Sequence, residues 1–299
     1  MEFTSIHNDY IIADHRLRIE GLNLAFTVQK LSGFSLFQAE TEGEPICVFH
    51  GRESESLPEI SEKDEILYTD SKDGFSSRFA KKNNGNFIFD SSSEKGTRLV
   101  FETDMKSLDT YFYGDYDEEL LRFALWLAFG LSTLHTITVS LHASSVYYDD
   151  KVVLFLGESG TGKSTHSRLW INNIEGASLF NDDSPILRAI DGKIIVYGSP
   201  WSGKSSCYRN ESHPLAACVR LSQAPYNKIT LMDNTLAAYT ALHPSCPPEF
   251  AYDETLYDFV SRFLSDLIST TPVYRMEALP DSDAAVMSCN TIFGSCKKK

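Results

Sequence analysis

Eight residues restrict this chain more than any others: Gly157-Glu158-Ser159-Gly160-Thr161-Gly162-Lys163-Ser164, directly after the apolar run Val152-Val153-Leu154-Phe155-Leu156. They fit G-x-x-x-x-G-K-[ST], the pattern of a phosphate-binding loop. Glycines there let successive backbone N–H groups turn inward around a polyphosphate, Lys163 can reach β- and γ-phosphates, and the Ser164 hydroxyl can ligate Mg²⁺. Such a loop needs a strand before it and a helix N-terminus after it. Val152 to Leu156 has the length and branching of a buried strand, and Lys163 onward, through Thr165, Leu169, Trp170 and Ile174, reads as the helix. Gly157, Glu158, Ser159, Gly160, Thr161, Gly162, Lys163, Ser164 and Thr165 are therefore the expected nucleotide-binding residues. A glycine turn with an incidental lysine is the competing reading, and the strand and helix on either side weigh against it.

Composition narrows the partners. The chain has 299 residues and a formal net charge of −14, which argues against a phosphate-backbone binder, because nucleic-acid affinity rests on clustered Lys and Arg. Lys297-Lys298-Lys299 is too short to reverse that. Six cysteines are scattered without a C-x-x-C pair or a zinc-like spacing to histidine, as expected of free thiols in a reducing cytoplasm. Met1-Glu2-Phe3-Thr4 lacks the basic start and apolar stretch of a signal peptide. Phe123 to Tyr148 contains no Asp, Glu, Lys or Arg, but its strongly apolar part, Phe123 to Leu131, is shorter than the roughly 20 residues a bilayer requires. A buried helix followed by a buried strand is expected there, in a cytoplasmic protein.

Residues 1 to about 114 read as a β-rich domain. Leu24 to Val28, Phe34 to Phe37, Ile46 to Phe49, Phe87 to Phe89 and Leu99 to Phe101 are short β-branched and aromatic runs separated by turn residues, and Lys82-Asn83-Asn84-Gly85 has the Asn-Gly of a hairpin. No chemistry is visible in it: His7, His15 and His50 are isolated, and the acidic run around Glu53 to Glu65 reads as a solvated loop. Asp115 and Glu118 have capping-box spacing, so a helix is expected from near Asp115, with the domain boundary near Gly114. From 115 to 299 strands and helices alternate. Ile137 to Tyr148 and Lys151 to Leu156 read as strands joined by Asp149-Asp150. Ser178 to Phe180 is a short strand, Ile186 to Ile190 and Ile194 to Tyr197 a hairpin, Ala216 to Leu221, Ile229 to Leu231 and Val273 to Met276 further strands. Helices are expected over Asn234 to Leu242, Leu256 to Ile268 and from Ser282.

Asn181-Asp182-Asp183 follows Lys163 by 18 to 20 residues, at a strand end. Phosphoryl transfer needs carboxylates there, one to hold Mg²⁺ opposite the loop Ser and one to act as base toward a hydroxyl. A surface turn is the alternative, since Asn-Asp-Asp before Ser184-Pro185 also has turn composition. His142 sits on the strand two segments ahead of the loop, where a lone histidine is more often a core residue. Trp201-Ser202-Gly203-Lys204 offers a Gly turn with a cation, Lys204, that could border the phosphates. His166, Arg168 and Arg209 are weaker candidates. An α/β-hydrolase elbow is excluded, because Thr161 stands where G-x-S-x-G needs its last Gly. The H-R-D and D-F-G signatures of protein kinases are absent.

Leu141-His142-Ala143-Ser144-Ser145, the strand, the loop through Ser164 and then Asn181-Asp182-Asp183 together resemble the catalytic domain of the bacterial HPr kinase/phosphorylases; phosphoenolpyruvate carboxykinase has a similar phosphate loop. The resemblance covers roughly residues 140 to 240. It implies an α/β nucleotide domain, a mixed sheet with flanking helices, that uses ATP and Mg²⁺. By motif it makes His142 a helper histidine, Lys163 and Ser164 the phosphate and Mg²⁺ residues, Asp182 the base and Asp183 a metal-side carboxylate. Strand alternation would allow the two aspartates to exchange roles. The family's arginine- and glycine-containing signature is not found after the aspartates, where Pro200-Trp201-Ser202-Gly203-Lys204 stands instead, and the β-rich part does not resemble that family's N-terminal domain. The expectation is transfer of the ATP γ-phosphoryl group to a hydroxyl on a protein or peptide serine or a small molecule. The alternative is a non-catalytic ATP-binding switch, with a slow ATPase between the two. The acceptor is unspecified, and self-association is left open.

Overall fold

Alternating aromatic residues build the first sheet of the protein. The computed structural model describes residues 7–52, 55–72, 74–203 and 205–299. Two units result: Met1–His135 with Pro248–Tyr257, and Thr136–Pro247 with Asp258–Lys299. The first contains β1 (His7–Ile12), β2 (His15–Glu20), α1 (Leu22–Lys30), β3 (Cys47–Gly51), β4 (Glu65–Lys72), β5 (Phe75–Lys81), β6 (Phe87–Ser93), β7 (Arg98–Thr103), β8 (Thr110–Gly114) and α2 (Glu118–Thr133). Its strands form one sheet in the order β1-β2-β3-β8-β7-β6-β5-β4, with β3 parallel to both neighbours and the other pairs antiparallel. Phe79, Phe87, Phe89, Phe101, Phe112 and Phe49 line one face in a run of ring contacts, over which α2 lays Phe123 against Phe89. The alternate residues Ala80, Ile88 and Val100 point to the other face and pack under Leu57, Ile60 and Tyr113. This is the period-two division a strand imposes.

Several expectations need correction here. Leu24 to Val28 is helical, not extended: Leu24, Ala25 and Val28 lie at helical spacing and are buried together, so burial on one face overrides a β-branched composition. Phe34 to Phe37 is a short 3₁₀ helix rather than a strand, with Phe34 and Phe37 buried. The helix expected from Asp115 begins at Glu118, capped by Asp117, whose carboxylate accepts from the N–H groups of Glu119 and Leu120, while Asp115 accepts instead from the Arg98 N–H. That helix belongs to the first unit, so the division falls after His135 and not near Gly114; its apolar face, including Leu121, Ala124, Leu125 and Ala128, is buried.

Asp90 is the main polar group of this unit's second face. It is buried and bonded to Arg78 at 2.6 Å and to Arg98 at 2.9 and 3.0 Å. Burial pushes its carboxyl up, but the two guanidinium groups outweigh that and hold it below the ordinary carboxylate value. A depressed folded-state pKa contributes stability that is complete above the unfolded value and is lost as pH falls through the folded one. Asp90→Asn is therefore expected to cost about 1–3 kcal/mol at neutral pH, and to flatten the acid limb of a stability-versus-pH curve measured by urea denaturation.

The second unit contains β9 (Thr138–Ser140), β10 (Ala143–Tyr148), β11 (Lys151–Leu156), α3 (Lys163–Asn173), β12 (Ser178–Asp183), β13 (Ile186–Ile190), β14 (Lys193–Tyr197), β15 (Ser212–Gln223), β16 (Lys228–Leu231) and α4 (Thr235–Leu242). It ends with α5 (Glu254–Thr270), within which the two units divide, β17 (Val273–Ala278) and α6 (Ser282–Phe293). The sheet runs β12-β10-β11-β15-β14-β13-β9, with β17 joining β15 and β16. β11, β15 and β17 are mutually parallel and the remaining pairs antiparallel, so this unit is α/β with a mixed sheet. Asp149 and Asp150, both at positive φ, make the two-residue turn that brings β11 back beside β10, as a type I′ hairpin requires. Val153, Phe155, Val219, Leu221 and Met276 on one face share a core with Trp170 of α3 and Ala285 of α6. The single strand expected over Ile137 to Tyr148 is broken: β9 pairs with β13 and β10 with β11 and β12. The break falls at Leu141-His142, where the His142 N–H donates to the Ser245 carbonyl.

Candidate functional site

Parallel strands end together, and the C-terminal ends of β11, β15 and β17 define the edge at which the glycine loop stands, the position where open α/β sheets bind ligands. Residues 157–162 connect β11 to α3. Gly157 has φ +154°, and a Cβ on it would stand 2.4 Å from Thr161 Oγ1 and 3.3 Å from the Leu221 carbonyl oxygen; only glycine fits there. Gly160 and Gly162, also at positive φ, face open space. Gly162 caps α3 without a side-chain hydrogen bond, which leaves helix N-terminal N–H groups for an anion. Thr161 folds back on the Glu158 carbonyl through both its N–H and its hydroxyl.

Lys163 Nζ donates to the Gly157 carbonyl at 2.8 Å and the Glu158 carbonyl at 3.4 Å, and meets His142 Nε2 at 2.9 Å. An ammonium has donors only, so His142 Nε2 accepts and its proton sits on Nδ1. Nδ1 lies 3.1 Å from Asp183 Oδ1. Lys163, His142 and Asp183 thus form one chain of contacts. Burial is the main influence lowering the Lys163 pKa; Arg220 acts in the same direction, while Asp183 and Asp182 oppose it.

Ser164 Oγ donates to Asp182 Oδ1 at 2.9 Å. Asp182, not Asp183, is therefore the carboxylate that faces the loop serine. The reason is the pleat: neighbours on β12 point to opposite faces. Asp182 is buried, whereas the Asp183 side chain is 42% exposed. Asp183 also takes φ +139°, a backbone conformation that β-carbon-bearing residues rarely adopt. It is bridged to Ser202, and Gly203 approaches so closely that a Cβ there would stand 2.9 Å from the Asp182 carbonyl oxygen and 3.1 Å from Asp183 Cβ. Asn181 fixes the turn from beneath, donating to Ser199 Oγ and the Trp201 carbonyl and accepting from the Ser184 N–H.

The oxygens of Ser164 and Asp182 are hard donors of the kind Mg²⁺ takes. Among the described residues no group of three or more His, Cys, Asp and Glu side chains is placed to hold a metal.

Ser202 and Gly203 lie against Asp182 and Asp183, and Lys204, the cation expected to border the phosphates, lies outside the described residues. His166 is a core residue: it is buried, bonded to Ser288 Oγ at 3.1 Å, packed on Phe155, and pushed down to about 4 by burial. Arg168 donates to the Ser164 carbonyl within α3, and Arg209 pairs with Glu211. Two features escaped the sequence. One is Arg220, which β15 brings beside the loop. The other is a cleft of about 510 Å³ between the loop, the start of α3 and the ends of β15 and β17, lined among others by Thr165, Leu169, Gln223, Leu279 and Pro280. Their sequence separation from the loop, up to 120 residues, hid both. Among the described residues no helix is long and apolar enough to cross a membrane.

Neither a family model nor a curated protein matches the chain. Among solved structures it is similar to the HPr(Ser) kinase/phosphatase from Coxiella burnetii, at 14% identity over 50% of this chain and 90% of that one, with a TM-score of 0.28. At that score the likeness assigns neither fold nor activity.

Proposed function

We propose that the second unit binds ATP and Mg²⁺ and transfers the γ-phosphoryl group to a hydroxyl of an acceptor. The observation that carries this reading is the pair of contacts made by two adjacent aspartates, Asp182 to the loop serine and Asp183 to His142. The loop N–H groups and Lys163 would hold the phosphates, exchanging the lysine's carbonyl contacts for phosphate oxygens. The nucleoside would extend into the cleft beside Leu169 and Leu279. Mg²⁺, held by Ser164 and Asp182, would supply neutralisation of phosphate charge. Asp183, more open than its neighbour and oriented by His142 Nδ1–H, would accept the proton of the acceptor hydroxyl as its oxygen bonds to the γ-phosphorus. The bond to the bridging oxygen then breaks and ADP leaves with that electron pair.

The test incubates the protein with γ-labelled ATP, Mg²⁺ and extract of its own cells. Label is expected on a protein, a peptide or a metabolite. Nucleotide binding with no label transferred would favour the non-catalytic switch, and release of phosphate alone the slow ATPase.

A further inference from the structure

We propose that Arg220 binds the γ-phosphoryl group as a second cation beside Lys163, an assignment that rests on the nucleotide reading above. Arg220 is paired in register with Leu156, the last residue before the loop. Its neighbour Leu221 packs backbone to backbone on Gly157. Val219 and Leu221 point into the core shared with α3 and α6, so strand alternation sends Arg220 to the other face. Its position is thus fixed by an interior strand with partners on both sides, which is a more precise mount than a loop.

The Arg220 side chain is only 19% exposed, yet it pairs with the loop residue Glu158, whose side chain is 82% exposed and whose carboxylate lies 3.5 Å from the guanidinium. That distance is too long for a good hydrogen bond, and an exposed carboxylate holds a cation weakly. Phosphate oxygens accept the planar fork of an arginine bidentately and would displace Glu158. Arg220 also sits near enough to Lys163 to help lower its pKa, so the two cations share one field, and an anion between them relieves their repulsion. Transfer spreads charge over the γ-phosphoryl oxygens, where a donor fork stabilises the transition state more than the ground state.

The test measures ATP and ADP affinities by titration calorimetry in Mg²⁺ for the wild type, Arg220→Gln, Arg220→Lys and Glu158→Gln. Arg220→Gln is expected to weaken ATP by about 10- to 100-fold and to leave ADP almost unchanged, because the lost contacts are to the third phosphate. Arg220→Lys keeps the covered stem and the charge but not the fork, so it should fall between and guards against misfolding. Glu158→Gln should tighten ATP. Equal losses for ATP and ADP, or no loss in either Arg220 variant, overturn the assignment while leaving nucleotide binding intact. A wild type that binds neither nucleotide overturns the nucleotide reading, and this one with it.

Discussion

Asp183→Asn is expected to slow phosphoryl transfer by about 10²- to 10⁴-fold while ATP affinity stays near the wild-type value. A general base acts on the acceptor during the chemical step, so its loss separates rate from binding. Asn keeps the shape of Asp and can still meet His142 Nδ1, 3.1 Å from the present carboxylate, but it cannot take a proton. Asp182→Asn should behave differently. Ser164 already donates to Asp182, so the amide would weaken the oxygen pair offered to Mg²⁺ and raise the Mg²⁺ concentration needed for half-maximal transfer. Single-turnover transfer, nucleotide affinity and Mg²⁺ dependence measured on both variants distinguish the roles. If the signatures come out exchanged, the metal and base assignments return to the order the motif implied. If both variants transfer at full rate, Asp183 is no base and Asp182 is no required metal ligand, and the roles proposed for the two aspartates fall while transfer itself stands.

The sequence made the loop legible because its chemistry is local: eight contiguous residues carry the turn, the cation and the hydroxyl, and the flanking strand and helix announce themselves by period. It also brought His142 and the aspartates to the loop, since β10, β11 and β12 are sheet neighbours. Which aspartate faces the serine was not legible. It depends on the exact phase of a short strand, and one residue of shift exchanges the faces. Arg220 and the cleft were invisible for another reason: they reach the loop through pairing of β15 with β11 and β17, and non-local pairing leaves no mark in a single sequence. Leu24 to Val28 was misread because five apolar and β-branched residues suit a strand or one buried helix face equally. The helix from Glu118 was seen, but not which unit its buried face would join.

Lys163→Ala should remove at least about half of the stabilisation that ATP confers on the second unit. Charge-assisted hydrogen bonds are worth about 1.5–3 kcal/mol, so the substitution is expected to weaken ATP by about 10- to 100-fold. At a concentration 100 times the wild-type Kd, ligand adds about 2.7 kcal/mol of stability, or roughly 5 to 10 °C in Tm for a unit of this size. With affinity reduced 100-fold the same ATP adds only about 0.4 kcal/mol. The unliganded Tm should change little, because among the described residues Lys163 Nζ bonds to loop carbonyls and the half-exposed His142. The pH dependence supplies a second readout. Phosphate needs the ammonium form, and the Lys163 pKa lies below its ordinary 10.5. ATP affinity should therefore fall as pH rises toward that lowered value, and Lys163→Ala should remove this alkaline loss. Thermal melts with and without millimolar ATP and Mg²⁺, run from neutral to alkaline pH on both proteins, check both expectations. An unchanged wild-type melting curve would sink nucleotide binding in its catalytic and switch forms alike; a variant that ATP still stabilises fully would show that other groups, with Arg220 foremost, hold the phosphates without the loop lysine.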